Sequence, residues 1–228
     1  MSRSLEPQVF EGVPVFPLPE YVLFPHTLIP FHIFEPRYRQ LVSDVLAGQR
    51  LIVVAGLQAG WESDYFALPP VHAVAGLGKV VNEERLEDGR FNIFVHCLHR
   101  VRILETTQMS PYRIARVEEI PDFAAGYDAA LLTEAVGRLR ACVLGLAGSL
   151  PEEAPSLGKV LTSTDDAAVL TNRLAALMVT DAGARQALLE ERCPLKRAER
   201  LTALIAERMF EGVGQAPDDA DPGQGWMN

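Results

Sequence analysis

Apolar positions change period once along the chain. As far as residue 124 they fall in short alternating runs cut by turn residues, and from Asp128 onward they recur at a spacing of about 3.6. The first pattern predicts strands at residues 13–16, 71–81, 91–104 and 112–120, and the apolar run at 51–55 predicts another. Pro17, Pro19, Pro25 and Pro30 forbid a helix between the first strand and residue 30, because each removes a donor and pushes the preceding residue out of the helical region. Pro36 then suits a first helical turn, and Tyr38, Leu41, Val42, Val45 and Leu46 line one face as far as Gly48. The Asp88-Gly89 pair predicts a tight hairpin turn.

Beyond Asp128, Leu132, Val136, Leu139, Val143 and Leu146 mark one helix. The Gly, Ser, Pro and Glu content of residues 148–158 predicts a loop, after which Thr164 or Asp165 can cap a second helix carrying Val169, Leu170, Leu174, Leu177 and Met178. Two short helices follow, over residues 184–192 and from Pro194 through Leu195, Ala198, Leu201, Leu204 and Ile205. The organisation expected is a strand-rich unit over residues 10–124 with one inserted helix, a helical bundle over 125–211, and a disordered acidic tail over 212–228, which holds no Lys or Arg.

Composition changes this picture little. The 228 residues are 48% hydrophobic and 22% charged, as in ordinary globular proteins. The longest apolar run, residues 51–57, is far short of the roughly 18 residues of a membrane span. The N-terminus has no apolar segment ahead of a small-residue cleavage site, so a cytoplasmic protein is expected. Cys97, Cys142 and Cys193 are odd in number and widely spaced, which predicts neither disulfides nor a zinc site. The charge of −9 is spread evenly: residues 1–124 hold 11 basic and 15 acidic side chains, the remainder 10 and 15. That balance argues against nucleic acid, whose phosphates demand clustered cations.

Candidate chemistry is sparse. Gly76-Leu77-Gly78-Lys79 has Ala73 and Val80 where a phosphate loop needs glycine and a hydroxyl residue, and no GxSxG, HExxH or GxGxxG motif occurs. No cofactor or metal is expected. Cys97 and His99 share one strand face with Ile93, Val95 and Val101, which makes Cys97 a core residue and the pair a poor hydrolase dyad. Arg100, Arg102, Arg113 and Arg116 could form a phosphate-binding stripe, the RNA-binding alternative, although ion pairing with Glu105, Glu118 and Glu119 explains them as well. Residues 58–70 form a loop with Trp61, Tyr65 and Phe66 among polar neighbours, and loop aromatics often anchor partners.

One resemblance is specific. Pro14-Val15-Phe16-Pro17-Leu18, followed by the continuous stretch from Leu23-Phe24-Pro25-His26 to Phe34-Glu35-Pro36-Arg37-Tyr38, closely resembles the opening of the Lon N-terminal, substrate-binding domain family. Gly76 with Val80, the stretch Asp88-Gly89-Arg90-Phe91-Asn92-Ile93, Arg100-Val101-Arg102-Ile103, Pro111-Tyr112 and Gln186-Ala187-Leu188-Leu189-Glu190 agree, so the resemblance covers roughly residues 10–210. Cys97 departs from it, standing where the family's glycine is expected. The resemblance implies an α+β fold, a PUA-like β-barrel followed by a C-terminal helical bundle. It further implies a non-catalytic module that binds unfolded or exposed hydrophobic polypeptide, an adaptor in protein quality control without the family's ATPase and protease domains. Phe24, Trp61, Tyr65 and Phe66 are the residues expected to touch peptide. In the Glu35-Pro36-Arg37-Tyr38 element a scaffold role is expected, since helix initiation already explains it.

Overall fold

The computed structural model describes residues 7–64, 68–123, 128–148, 152 and 154–213. Strands β1 (Val9–Leu18), β2 (Leu28–Ile33), β3 (Leu51–Gly56), β4 (Val74–Arg85), β5 (Phe91–Gln108) and β6 (Arg113–Glu119) form one sheet, with helix α1 (Pro36–Ala47) between β2 and β3. β1 pairs in parallel with β3 and antiparallel with β6, and the antiparallel pairs β3 with β4, β4 with β5 and β5 with β6 carry the ladder back to its start. β5 is long enough to serve three neighbours. Its first half also takes β2, with Ile29 opposite Val95 and Phe31 opposite Ile93. This circuit of pairings is the barrel, and β2 is a flap hung on its longest strand.

The apolar run in β3 has no polar face because both of its faces are covered. Val53 and Ala55 join Val13, Val15, Ala75, Leu77, Val101, Ala115 and Val117 in one cluster. Ile52 and Val54 face the other way, into a cluster with Phe16, Leu41, Val42, Val45, Ile93, Val95 and Cys97 that seats α1. Helix α1 starts at Pro36 as expected, and Arg37 reaches Glu35 at 3.0 Å while its guanidinium lies 4.6 Å above the Tyr38 ring. Buried Tyr38 meets Phe16 edge-on at 4.9 Å, so this element is built into the scaffold.

Gly76 and Gly78 let β4, β5 and the segment before β2 approach closely. A Cβ on Gly76 would fall against the Leu23 carbonyl oxygen and within 3.1 Å of Cys97 Sγ, and one on Gly78 would overlap the Val95 side chain. The bulky atom that Cys97 brings is thus accommodated by the glycine facing it. At the hairpin tip Gly89 takes a φ of +81°, the left-handed conformation that the Asp-Gly pair supplies cheaply.

Helices α2 (Ala129–Ala147), α3 (Ala154–Thr162), α4 (Ala167–Met178), α5 (Ala182–Glu190) and α6 (Pro194–Val213) follow. Asp128, Asp166 and Asp181 accept from free N–H groups at the starts of α2, α4 and α5. The second cap is Asp166, one residue beyond the expected pair. Thr164 instead supports the turn by accepting from the Asp166 N–H. Helix α3 overlaps the loop expected at 148–158: Pro155 is tolerated in its first turn, and Leu157 and Leu161 bury one face. Helix α6 runs through Val213, two residues past the expected bundle end, and the remainder of the expected tail, 214–228, lies outside the described residues.

Candidate functional site

Barrel and helices meet along a seam crossed by the strap that links β1 to β2, residues 19–27. Val22 and Phe24 of the strap are buried in the helical cluster with Leu139, Leu174 and Leu188. Leu23 between them faces the opposite way, into the α1 cluster. The strap is also tied down by its backbone. Arg185 donates to the Val22 carbonyl at 3.3 Å, Arg173 donates to that of His26 at 3.1 Å, and the His26 N–H donates to Cys97 O at 2.9 Å. Glu20 and His26, near its two ends, adopt positive φ values of 52° and 66°. A cleft opens beside each of these bends.

The first cleft, about 350 Å³, lies between the strap, the Trp61 loop and the start of α5. Tyr21, Leu57 and Trp61 give it an apolar wall, and exposed Glu20 and Glu62 stand at its rim. Burial pushes the Tyr21 hydroxyl up to about 12, so it stays protonated. Gln186 lines the cleft at 5% exposure. Its Nε2 donates to Val74 O at 3.0 Å and to Glu190 at 2.7 Å, which fixes the amide's orientation. The Oε1 atom is left with no hydrogen-bond partner among the described residues.

The second cleft, about 440 Å³, lies between residues 26–29 and helices α3 and α4. Lys159 and Arg173 are its charged residues, joined by His26, Ser156 and Ser163, above the apolar side chains of Leu28, Ile29, Val160, Ala176 and Leu177.

The expected site residues separate. Trp61 is half-buried and lines the first cleft. Phe24 does not reach a surface: it is 0% exposed, held under Arg185 in the helical core. The proline-rich strap is an internal plug, and that corrects the expectation that Phe24 touches peptide. Tyr65 and Phe66 lie outside the described residues. Sequence reasoning missed Gln186 and Tyr21 as cleft residues. Neither carries a local signal, because their meaning depends on α5 docking against the strap.

Cys97 is fully buried and burial pushes its thiol far above the ordinary range, while His99 pairs with Glu119 at 2.9 Å at the surface. The arginines form no stripe. Arg113 is buried and donates to Pro69 O at 2.5 Å, and Arg116 pairs with Glu11. Arg100 points into the seam, where Asp122 takes it at 2.6 Å and takes Arg197 at 2.7 Å. Among the described residues no His, Cys, Asp and Glu cluster is placed to hold a metal, and no helix is long and apolar enough to cross a membrane.

A five-strand circuit with a flap strand, strapped to a helical bundle, is the fold of Lon N-terminal domains. The N-terminal domain of a Mycobacterium avium complex Lon protease superposes with a TM-score of 0.66 at 16% identity, covering 86% of this chain and 99% of that one. A Lon N-terminal domain protein from Xanthomonas campestris gives 0.58 at 23%, covering 85% and 98%. The family model of the ATP-dependent protease La (LON) substrate-binding domain matches residues 12–207, and the chain belongs to that family. Lon protease 2 of Sorangium cellulosum is 30% identical over 154 residues, 67% of this chain but 19% of that protein. Lon protease 1 of Herpetosiphon aurantiacus is 28% identical over 205 residues, 87% of this chain and 24% of that protein. The chain therefore spans a quarter or less of the length of these two relatives.

Proposed function

We propose that the protein recognises unfolded or exposed hydrophobic polypeptide by binding alone, and that the cleft beside Trp61 is where it does so. The observation that carries this reading is the apolar wall that Tyr21, Leu57 and Trp61 present in a cleft beside the strap. An extended polypeptide inserted between Trp61 and α5 would rest an apolar side chain on Tyr21 and Trp61. Membership of a substrate-binding family supports polypeptide as the ligand. Non-catalytic action is supported by the burial of Cys97, the most nucleophilic group of the barrel. Delivery of the bound client to a separate protease would make the protein an adaptor. Three free cysteines fit a reducing, cytoplasmic setting.

The test is fluorescence anisotropy with labelled, reduced and alkylated lactalbumin, which is permanently unfolded, against its native form as control. Saturable binding of the unfolded form alone is expected, weakened about tenfold by Trp61→Ala combined with Phe66→Ala. Unchanged affinity in that double variant sinks the aromatic-cleft reading, and no binding by the wild type sinks polypeptide recognition altogether.

A further inference from the structure

The second cleft is built by two helix faces. Ser156, Lys159, Val160 and Ser163 recur at i, i+3, i+4 and i+7 along α3 and the residue that follows it, and Arg173, Ala176 and Leu177 repeat the same spacing on α4. Both faces turn toward Leu28 and Ile29 at the start of β2. Leu28 and Leu177 are 55% and 42% exposed, so the cleft presents apolar surface to water. Strand β2 stands at the end of the sheet order, paired with β5 alone among the described strands, so an edge of the sheet borders the cleft.

Charge is the second, independent observation. In a chain of net charge −9, no carboxylate lines this cleft among the described residues, whereas Lys159 and Arg173 both do. Arg173 is held in place by its bond to the His26 carbonyl and by a 2.8 Å bond to Ser163 Oγ. Exposed Lys159 enters no ion pair among the described residues. The first cleft is the reverse, with Glu20 and Glu62 at its rim.

We propose that the second cleft takes the C-terminal end of a polypeptide, with apolar final side chains on Leu28, Val160 and Leu177 and the terminal carboxylate between Lys159 and Arg173. The inference rests on the polypeptide-binding reading above and adds a substrate class, chains that end in apolar residues. Two fixed-sign cations over an apolar floor complement a carboxylate joined directly to an apolar residue, and Ser156 adds a hydroxyl donor, whereas the Ser163 hydroxyl is spent on Val160 O. An internal apolar segment would leave the cations unused, and an acidic segment would leave the floor unused.

The probe is a short fluorescein-labelled peptide ending in two leucines, prepared as the free acid and as the C-terminal amide, titrated with the full chain by anisotropy. The acid is expected to bind about tenfold more tightly than the amide, and Lys159→Gln, which leaves Arg173 alone, is expected to cut that preference to about threefold or less. Equal affinity for acid and amide in the wild type overturns the inference, and so does a preference that Lys159→Gln leaves undiminished. Displacement of the peptide by decanoate at lower concentration than by unlabelled peptide overturns it in favour of a lipid acid. Unfolded lactalbumin separates the two levels. Its retention without an acid preference removes this inference alone, and the absence of all client binding removes the reading beneath it.

Discussion

At the scale of single residues the tightest constraint falls on atoms with no chemistry to perform. Cys97 Sγ lies 3.6 Å from Leu77 O and 3.8 Å from Leu23 O, inside a pocket whose far wall is Gly76. The strand alternation already placed Cys97 in the core, since Ile93 and Val95 share its face, although a bulge after Cys97 turns Val101 into the other cluster. Gly76 was not legible in the same way, because its partner Leu23 belongs to a strap far off in sequence. Two outcomes follow. In native protein Cys97 is expected to react with a thiol reagent far more slowly than after unfolding, as mass spectrometry of the labelled peptide would show; fast native labelling would reopen the nucleophile question. Gly76→Ala forces a methyl against the Leu23 backbone, which cannot swing aside as a side chain would. A loss of about 3 kcal/mol is expected, read as a lower urea midpoint at unchanged slope.

At the scale of elements, the arginines show where local reasoning stops. Ion pairing was the better reading of Arg100, but its expected partners Glu105, Glu118 and Glu119 lie on the strands, and the true partner is Asp122 just past β6. Asp122 also holds Arg197 of α6, itself fully buried and bonded to Glu191 O at 2.7 Å, while Arg100 Nε donates to Leu189 O. One carboxylate thereby ties β5 to α6, and the last carbonyls of the α5 turn share the second positive charge. Burial alone would raise the Asp122 pKa, but the bonds from Arg197 and Arg100 outweigh it and hold the carboxyl below its usual range. A depressed folded value means the pairing stabilises at pH above the unfolded value of about 4 and is lost as pH falls through the folded one. Asp122→Asn leaves two buried guanidiniums without their anion and is expected to cost roughly 3 kcal/mol at neutral pH. Its urea midpoint should vary less than the wild type's between neutral pH and pH about 3, because the variant has no carboxyl at this position to take up a proton as the unfolded wild-type chain does. A neutral-pH midpoint equal to wild type would refute the role. Helix α3 was hidden for a simpler reason. Pro155 and Gly158 are turn residues by propensity, and only packing of Leu157 and Leu161 against the other helices overrides them.

At the scale of the whole molecule, the change of period near residue 124 separates strands from helices but does not separate two cores. The strap contributes Val22 and Phe24 to the helical cluster, β4 lends it Val74, and Leu23 belongs to the cluster under α1. The strap thus threads between two packed regions and is buried by both. Phe24 is the largest side chain that the strap sends into the helical core. Phe24→Ala is expected to cost about 4 kcal/mol, the usual penalty for a fully buried phenylalanine whose cavity cannot close. Cooperativity follows from the same geometry. A barrel ending at Phe123 would leave Val22, Phe24 and Val74 bare and Arg100 without Leu189 O or the neighbouring Arg197–Asp122 pair. Residues 10–124 are accordingly expected to be unstable when produced alone, binding a hydrophobic dye and showing no sharp thermal transition, whereas the full chain melts in one step. Thermal unfolding of the full chain, followed in parallel by far-ultraviolet circular dichroism for the helices and by tyrosine absorbance for the barrel, should give coincident curves. Two separated transitions, or a truncated barrel that melts cooperatively at the same temperature, would show that the seam joins independent domains and that the strap is only a linker.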